Sequence, residues 1–460
     1  MFKKIIAAAI IAVALYGVVK YPSIKKIAYT GTGFSAKNVC SGHFISGFSN
    51  DLIVNQALLP IDATFGYISN QIDEEKLLVS SRIFGLFERV AVYNEATGCQ
   101  LLSIANTNTG NRTSTQYKQD LKSFSVAKTE KLKTHINSKI ESILDEFFTS
   151  KDDSFRRSKS VLVWHKGAII GEKYASGVTA ETPLLSWSMA KSITNMLVGI
   201  LVKQGQLNIQ QTTGLTEWNN KPQHQQITID HLLRMSSGLE FNETYGIGSD
   251  AAIMLSIAPS AGQYAANKPL EFPVDSHWSY SSGTSNILSL IIQRVISDNP
   301  QIYYQFAQQY LFNPLGISSA VLETDATGTI IGSSYMYATT RDWARLGLLM
   351  LNDGQWKGQR ILPQGWVKYS TTASSTDWLN HYGAHFWLNY NPSDGKKQRV
   401  WPMLPSDAFY MAGFQGQRVV IIPSKQLVVV RMGFTTPGIN NGVEQLIANI
   451  IRELDLKKSH

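Results

Sequence analysis

Residues 184–201, LLSWSMAKSITNMLVGIL, hold Ser188 and Lys191 three positions apart at the start of an apolar helical segment. Residues three apart in a helix lie one turn apart on the same face, so this lysine is within reach of the serine. Two interpretations are open. Ser188 is a catalytic nucleophile that Lys191 activates, or it is an ordinary serine at a helix start whose neighbouring lysine reaches a carboxylate elsewhere.

The Ser-x-x-Lys pattern is short, and it occurs four times in this chain, starting at Ser23, Ser125, Ser188 and Ser393. An activated serine needs a low-dielectric site that keeps part of the lysine neutral, because an ammonium cannot accept the serine proton. Among the four, only the helix after Ser188 is apolar nearly all round, which is typical of a buried, central helix. Physical chemistry therefore favours Ser188 over the other three serines.

Two later segments offer partners for such a serine. Tyr280 and Ser282 lie in HWSYSSGTSNILSLII, a loop rich in serine that precedes another apolar helix, and they present polar groups at its start. Gly413 and Gly416, in AGFQGQRVV, bracket the start of an apolar strand. Glycine at such a place indicates close approach of another group to the strand backbone. An oxyanion site built from strand N–H groups requires this kind of approach.

These motifs together resemble those of a known superfamily. Ser188-Met-Ala-Lys191, Tyr280-Ser-Ser282 and Gly413-Phe-Gln-Gly416-Gln417 are similar to the serine hydrolases that include class C β-lactamases, DD-peptidases and family VIII esterases. The segments SMAKSIT, HLLRMSSGLEF, YSSGTSN and GSSYMYATTRDWARLG resemble its nylon-oligomer (aminohexanoate-dimer) hydrolase branch. The resemblance covers residues 127–455, most of the chain.

The resemblance implies roles for individual residues. Ser188 would be the acylated nucleophile, and Lys191 and Tyr280 would share the general-base and general-acid work. The oxyanion hole would consist of the backbone N–H groups of Ser188 and Gln417. A phenol that is hydrogen-bonded to an ammonium is easier to deprotonate, so Lys191 and Tyr280 are predicted to relay a proton between Ser188 and the leaving group.

Substrate-contacting positions are also implied, and they include a departure from the superfamily. Ser282 stands where many relatives have the asparagine of Tyr-x-Asn, and Tyr245 matches a site tyrosine of the nylon-hydrolase branch, although an exposed loop tyrosine is the alternative. The third motif of β-lactamases and DD-peptidases is Lys/His-Thr/Ser-Gly, whose cation and hydroxyl hold a substrate carboxylate. This chain has Phe414-Gln415-Gly416 instead. The change favours a substrate other than a β-lactam or a D-Ala-D-Ala peptide.

The predicted function is a serine hydrolase that cleaves an ester or amide of a small-molecule or peptide-like acyl substrate, through an acyl-enzyme on Ser188. No metal or organic cofactor is predicted. A cell-wall DD-peptidase or another penicillin-recognising protein is the alternative enzyme. An inactive β-lactamase-like binding protein is the alternative that is not an enzyme.

Charge and the N-terminal segment bear on partners and location. Most of the formal charge of +8 lies at the two ends of the chain, in Lys3, Lys4, Lys20, Lys25, Lys26, Lys457 and Lys458. A nucleic-acid partner is therefore not predicted. Residues 5–19 are an uninterrupted apolar run behind a basic head, which is typical of a signal segment. An exported, periplasmic or extracytoplasmic protein is predicted, anchored to the inner membrane by this run, with a cleaved signal as the alternative.

The chain has two cysteines, Cys40 and Cys99, both in the region after the apolar run. An even pair in an exported protein most simply forms one disulfide, and two unrelated buried thiols are the alternative. No metal site is predicted, because His43, three positions after Cys40, is a weak signal on its own and no further Cys or His lies at ligand spacing beside either cysteine.

The hydrophobic patterns predict an α/β, β-lactamase-like architecture: an antiparallel sheet flanked by helices, plus an all-α insertion. Residues 1–26 are the anchor and its flank, and residues 27–126 are an N-terminal extension of short strands and loops. The hydrolase part, 127–455, divides into an α/β portion (127–205 and 331–455) and a helical portion (206–330). Within it, a helix is predicted over 127–150 and a hairpin around Lys166-Gly167.

Overall fold

The computed structural model describes residues 2–108, 131–246, 248–389 and 399–456, with the backbone alone for residues 2–20 and 108. Residues 2–108 form an N-terminal unit, in which one long helix packs on a four-stranded antiparallel sheet of order β1-β2-β3-β4. Its elements are α1 (Phe2–Phe44), α2 (Asn50–Leu52), β1 (Ile68–Asp73), β2 (Leu78–Ile83), β3 (Leu86–Asn94), β4 (Gly98–Leu101) and α3 (Ile104–Asn108).

The prediction of short strands and loops from residue 27 is wrong for residues 27–44, which continue α1 to Phe44. The glycines and threonines of this stretch have low helix propensity, but packing overrides propensity when one face is buried. Phe34 and Val39 are buried, and Tyr29 makes an edge-on ring contact with Phe87 of β3. At Gly33 a Cβ atom would lie 2.6 Å from the carbonyl oxygen of Ser256, so glycine permits the close approach of the helical portion.

Covalent and ionic links hold the N-terminal unit in place. Cys40 of α1 and Cys99 of β4 form a disulfide. Lys37 makes a buried ion pair with Glu323, at 2.8 Å, and Ser41 donates to the same carboxylate at 2.7 Å. Because Glu323 belongs to the following part of the chain, this pair joins the N-terminal unit to the rest of the protein.

The body is built around a six-stranded antiparallel sheet of order β12-β13-β14-β15-β5-β6. Strands from early and late in the chain meet where β15 pairs with β5, for example Val429 opposite Val163. The sheet and the elements next to it are α4 (Ser138–Thr149), α5 (Asp153–Arg156), β5 (Ser158–His165), β6 (Ala168–Tyr174), β7 (Leu184–Leu185), α6 (Ala190–Lys203), β8 (Val321–Leu322), β9 (Met336–Ala338), α13 (Thr340–Leu351), β10 (Gln355–Trp356), β11 (Gln359–Arg360), α14 (Trp366–Ser370), β12 (Trp387–Leu388), β13 (Phe409–Gly413), β14 (Gln417–Ile422), β15 (Leu427–Gly433) and α15 (Val443–Leu456).

Between β7 and β8 the described chain is helical apart from loops and short turns. The helices of this portion that follow α6 are α7 (Ile229–Leu233), α8 (Asp250–Ser256), α9 (Ala261–Ala266), α10 (Ser282–Ile296), α11 (Pro300–Ala307) and α12 (Asn313–Leu315). The antiparallel sheet with flanking helices and the hairpin around Lys166-Gly167 are confirmed. The helix predicted over 127–150 is confirmed for α4, Ser138–Thr149, and residues 127–130 lie outside the described ranges. The prediction is wrong for residues 131–137, which are not helical and form a bridge from Thr134 to Ile169 of β6.

The predicted signal anchor, residues 5–19, lies in the part of α1 whose side chains are not described. Elsewhere in the described ranges no helix has the length and apolar character needed to cross a membrane. Anchoring by residues 5–19 stays a prediction.

The disulfide yields a stability prediction. It joins residues 59 apart in sequence, and cross-linking a loop of that size stabilises a fold by about 4 kcal/mol in the chain-entropy model. We expect the double variant Cys40→Ser/Cys99→Ser to lower the hydrogen-exchange protection of β3 and β4 by a corresponding amount. Protection of β14 and β15 in the body sheet is the internal control. Unchanged protection of β3 and β4 would contradict the prediction.

Candidate functional site

Ser188 lies in the one-turn 3-10 helix Trp187–Met189, directly before α6. Burial of α6 fixes its place, because every residue from Ala190 to Leu201 is buried. Trp187 has a φ of +47°, in the left-handed region, where a non-glycine residue costs about 1–3 kcal/mol and needs support from its surroundings. The backbone is thus bent sharply just before the serine.

Lys191 is 1% exposed, and its Nζ lies within hydrogen-bond distance of three oxygens. They are the Oγ of Ser188 at 3.0 Å, the Oγ of Ser282 at 2.9 Å and the carbonyl of Ser333 at 3.2 Å. Burial lowers the pKa of Lys191 to about 8, because removal from water penalises the ammonium. A sizeable neutral fraction near neutral pH suits a group that accepts a proton.

Glu243 is a carboxylate of this site that the sequence analysis missed. It accepts hydrogen bonds from the backbone N–H of Ser282 at 2.6 Å and from its hydroxyl at 2.5 Å. Its negative charge raises the pKa of Lys191 and so partly offsets the effect of burial. Burial raises the pKa of Glu243 itself, and the charge of Lys191 opposes that rise. The sequence signal was an acidic residue two positions before Tyr245.

Tyr280 lies against Lys191, but not in the predicted arrangement. The Lys191 Nζ lies over the phenol ring, 4.8 Å from its centroid. Burial, followed by the negative charge of Glu243, holds the pKa of Tyr280 well above its usual value, while the nearby Ser188 hydroxyl opposes the rise. These surroundings favour the protonated phenol over the easily deprotonated one that was expected, and the catalytic part of Tyr280 stays a prediction.

Tyr245 is half-buried, so the alternative of an exposed loop residue does not apply. Its ring stacks on Phe414 with centroids 4.7 Å apart, and both rings contact Trp187, at 5.7 and 5.6 Å. Its buried hydroxyl lies near the hydroxyl of Ser188, yet it makes no well-formed hydrogen bond with the described residues. The predicted contact of Tyr245 with substrate stays a prediction.

The predicted third motif forms a turn, Phe414–Gly416, between β13 and β14. Gln415 is 4% exposed and has a φ of +57°. Its Oε1 accepts from the indole N–H of Trp187 at 3.1 Å, and its Nε2 donates to the carbonyl of Ala57 at 2.7 Å. Both polar atoms of the Gln415 side chain are thus used inside the protein.

The predicted second oxyanion donor, Gln417, begins β14 opposite Gly413. Its side chain bonds to the backbone of Gly433 in β15, accepting from the N–H at 2.9 Å. Gly413 contacts the nucleophile turn, since a Cβ atom there would lie 2.0 Å from the carbonyl oxygen of Ser186. This contact supplies the close approach that glycine was predicted to allow.

An aromatic wall continues the site from Tyr280. It consists of rings that contact one another at centroid distances of 5.0 to 6.4 Å, namely Trp278, Tyr280, Tyr382, Trp387 and Tyr410. Half-buried Arg418 lies near Tyr410 and Tyr280, whose phenols oppose the lowering of its pKa by burial. Its Nη1 donates to the carbonyls of Gly413 at 3.1 Å and Gln417 at 2.8 Å.

His385 lies behind the site, and burial together with the charge of Lys191 lowers its pKa to about 3. Its Nε2 lies 3.1 Å from the Ser285 hydroxyl, so it is a neutral, structural group. Within the described ranges, no group of three or more His, Cys, Asp or Glu side chains is arranged to hold a metal ion. Two of the other Ser-x-x-Lys serines, Ser125 and Ser393, lie outside these ranges.

Two known proteins named as hydrolases are similar to this chain. The chain is 23% identical over 291 residues to the 6-aminohexanoate-dimer hydrolase of Paenarthrobacter ureafaciens, a match covering 59% of this chain and 71% of that relative. A solved structure from Bacillus anthracis, provisionally named a 6-aminohexanoate-dimer hydrolase, matches with a TM-score of 0.58 and 20% identity, over 72% of this chain and 89% of that one.

A penicillin-binding protein homologue from Caulobacter crescentus matches with a TM-score of 0.51 and 15% identity, over 70% of this chain and all of that one (100%). At these identities the two solved structures show a shared fold. The family model described as Beta-lactamase matches residues 144–447, which is more than half of the chain. The fold is therefore β-lactamase-like, and the chain belongs to the Beta-lactamase family of hydrolases.

Proposed function

We propose that this protein is a serine hydrolase that cleaves an ester or amide through an acyl-enzyme on Ser188. The observation that carries the proposal is the 3.0 Å contact between the Lys191 Nζ and the Ser188 Oγ, in a buried setting that lowers the pKa of the lysine to about 8. A lysine that is partly neutral beside a serine hydroxyl is suited to accept its proton. The relatives named as hydrolases support the same reaction class.

In the first step, the Ser188 Oγ attacks the substrate carbonyl carbon while its proton passes to neutral Lys191. The negative charge on the carbonyl oxygen is stabilised by the backbone N–H of Ser188, with a second N–H from the segment Gly413–Gln417. Gln417 was the predicted second donor. The contact of Gly413 with the Ser186 carbonyl supports this stretch of strand as the other side of the oxyanion hole.

Tyr280 supplies the acid. Its raised pKa keeps the phenol protonated, so it donates a proton to the leaving oxygen or nitrogen as the carbonyl bond to that atom breaks. The proton held by Lys191 then restores the phenol, since both groups lie beside Ser188. In the second step water attacks the Ser188 ester, gives up a proton to the same pair, and releases the acid with the serine hydroxyl restored.

Glu243 and Ser282 keep Lys191 in place in this mechanism. The Ser282 hydroxyl donates to Glu243, and its oxygen faces the Lys191 Nζ at 2.9 Å. The carboxylate therefore fixes the direction of the hydroxyl and leaves its lone pair to the lysine. Glu243 acts through Ser282 and through its charge, so it is a positioning residue.

A second candidate, a penicillin-recognising protein or DD-peptidase, is supported by one observation. Phe414-Gln415-Gly416 has no cation, but the Arg418 guanidinium lies at the same strand end, bonded to the carbonyl of Gly413. In the described part of the chain it has no carboxylate partner. A cation in this position is suited to a substrate carboxylate.

Covalent labelling tests the nucleophile. We expect a fluorophosphonate probe to label Ser188, as identified by peptide mapping, and Ser188→Ala to abolish labelling. Ser23→Ala, which removes another Ser-x-x-Lys serine, should label like the wild type. An unlabelled wild type would overturn the enzyme proposal in favour of a binding protein. Labelling by penicillin with slow release would favour the second candidate.

The acid role of Tyr280 has a leaving-group test. Loss of a general acid costs about 10²- to 10⁴-fold in rate when the leaving group needs a proton. We expect Tyr280→Phe to lower kcat by that factor for an alkyl ester or amide, and by much less for a p-nitrophenyl ester, whose leaving group is already stable as an anion. Tyr382→Phe, in the same aromatic wall, is the control. Equal losses on both substrates would exclude the acid role.

The pH dependence follows from Lys191. Only neutral lysine accepts the serine proton, so kcat/KM should rise with pH through about 8, the pKa of Lys191, and then level off. Glu243→Gln removes the negative charge that raises this pKa, so its midpoint should move to lower pH. Exposed Glu240 lies three residues earlier, and Glu240→Gln should leave the midpoint unchanged. A midpoint that moves upward in Glu243→Gln would contradict the assignment.

A further inference from the structure

The N-terminal unit reaches the candidate active site at two points, and the first is an aromatic stack. Phe34 of α1 lies parallel to the indole of Trp187, with 5.9 Å between ring centroids and 14° between planes. Trp187 directly precedes Ser188 and has a left-handed backbone. The indole also makes an edge-on contact with the ring of Phe414. The residue before the candidate nucleophile therefore contacts both the N-terminal unit and the turn that follows β13.

The second point is the side chain of Gln415. Its amide accepts from the Trp187 indole and donates to the carbonyl of Ala57, in the π-helical turn Ile53–Leu58 of the N-terminal unit. One glutamine thus ties three segments together: the turn that carries Ser188, the turn that follows β13, and the N-terminal unit. Buried amide bonds of this kind fix geometry, because a lost partner leaves a polar group unsatisfied.

Both residues that receive these contacts are strained. Trp187 and Gln415 have φ values of +47° and +57°, and neither is glycine. Strained conformations of this kind persist only where the surroundings hold them, at a cost of about 1–3 kcal/mol each. They also lie on either side of the proposed reaction centre. Trp187 directly precedes Ser188, and Gln415 follows the end of β13 at Gly413. Among the contacts that hold them, those of Phe34 and Ala57 come from the N-terminal unit. Others come from the body, such as the ring of Tyr335 on Trp187 and the bond from Arg431 to the carbonyl of Gln415.

The N-terminal unit is itself fixed to the body by the buried Lys37–Glu323 ion pair and closed by the Cys40–Cys99 disulfide. It lies outside residues 144–447, the part that the family model matches. The contacts to Trp187 and Gln415 are thus made by a part of this chain that the family model does not include.

We infer that the N-terminal unit contributes to the active site. Gln415 is the positioning residue, because its bonds to Ala57 and Trp187 fix the turn that carries Ser188 and the segment Gly413–Gln417 relative to the N-terminal unit. The inference rests on the proposed function. It predicts that cutting this link slows acyl transfer without weakening substrate binding, because the groups displaced stabilise the transition state.

Two methionine variants test the inference as a matched pair in the full chain. Gln415→Met removes the link to Trp187 and Ala57 at nearly constant volume. Gln100→Met is the control, because the Gln100 amide makes a similar buried bond from β4 to the carbonyl of Asp325, at 2.7 Å. We expect kcat for p-nitrophenyl butyrate, counted per site titrated with fluorophosphonate, to fall 10- to 100-fold in Gln415→Met. KM should change less than twofold, and both values should stay near wild type in Gln100→Met.

The outcomes separate the inference from the proposed function. If Ser188 is labelled in the wild type and the two variants have the same kcat per titrated site, the N-terminal unit only packs, and the inference alone is overturned. If the wild type is not labelled, the proposed function fails and the inference fails with it. A loss in KM rather than kcat would also overturn it, because that would indicate a substrate contact.

A second pair covers the case in which Gln415→Met does not fold. Phe34→Leu shortens the ring that stacks on Trp187, and Phe44→Leu shortens another ring of α1, which packs on Tyr93. We expect kcat per titrated site to fall in Phe34→Leu and to stay within twofold of wild type in Phe44→Leu. Equal kcat values in this pair would overturn the inference.

Discussion

The buried lysine at the start of α6 is the constraint on which the site depends. Removing an ammonium from water costs several kcal/mol even after the protein relaxes. Lys191 recovers part of this through oxygens of Ser188, Ser282 and Ser333, and part through the charge of Glu243. The part of this free energy that is not recovered appears as a pKa of Lys191 lowered to about 8. Under the proposed function, this remaining cost is what makes the Lys191 amine a usable base.

The same low-dielectric setting has the opposite effect on the phenol, and this divides the proposed work. Burial disfavours whichever form is charged, so it lowers the pKa of Lys191 and raises that of Tyr280. Glu243 raises both, because a negative charge stabilises the ammonium and destabilises the phenolate. Under the proposed function, one environment therefore makes Lys191 a base and Tyr280 an acid. Two carboxylates of one active site can likewise take an acid and a base role when their surroundings shift their pKa values apart.

Features set by local sequence could be predicted, and features set by distant contacts could not. The apolar helix α6, the hairpin at Lys166-Gly167 and the paired strands β14 and β15 follow from periodicity and turn residues that are close in sequence. Glu243 could not be found this way, because its partner Ser282 lies 39 positions later. The bond from Gln415 to Ala57 spans 358 positions. The helical conformation of residues 27–44 also depends on distant packing, which outweighs their weak propensity.

The altered third motif and the N-terminal unit belong to one arrangement. In the superfamily that the sequence resembles, this motif offers a cation and a hydroxyl to the substrate. Here the amide of Gln415 is committed to Trp187 and Ala57, so it cannot also bind a substrate carboxylate without breaking those bonds. Under the proposed function, substrate selection then falls to Tyr245, to Arg418 and to the aromatic wall. On this inference, the turn that contacts substrate in that superfamily instead fixes the backbone beside Ser188 in this chain, because Gln415 is bonded both to Trp187 and to Ala57 of the N-terminal unit.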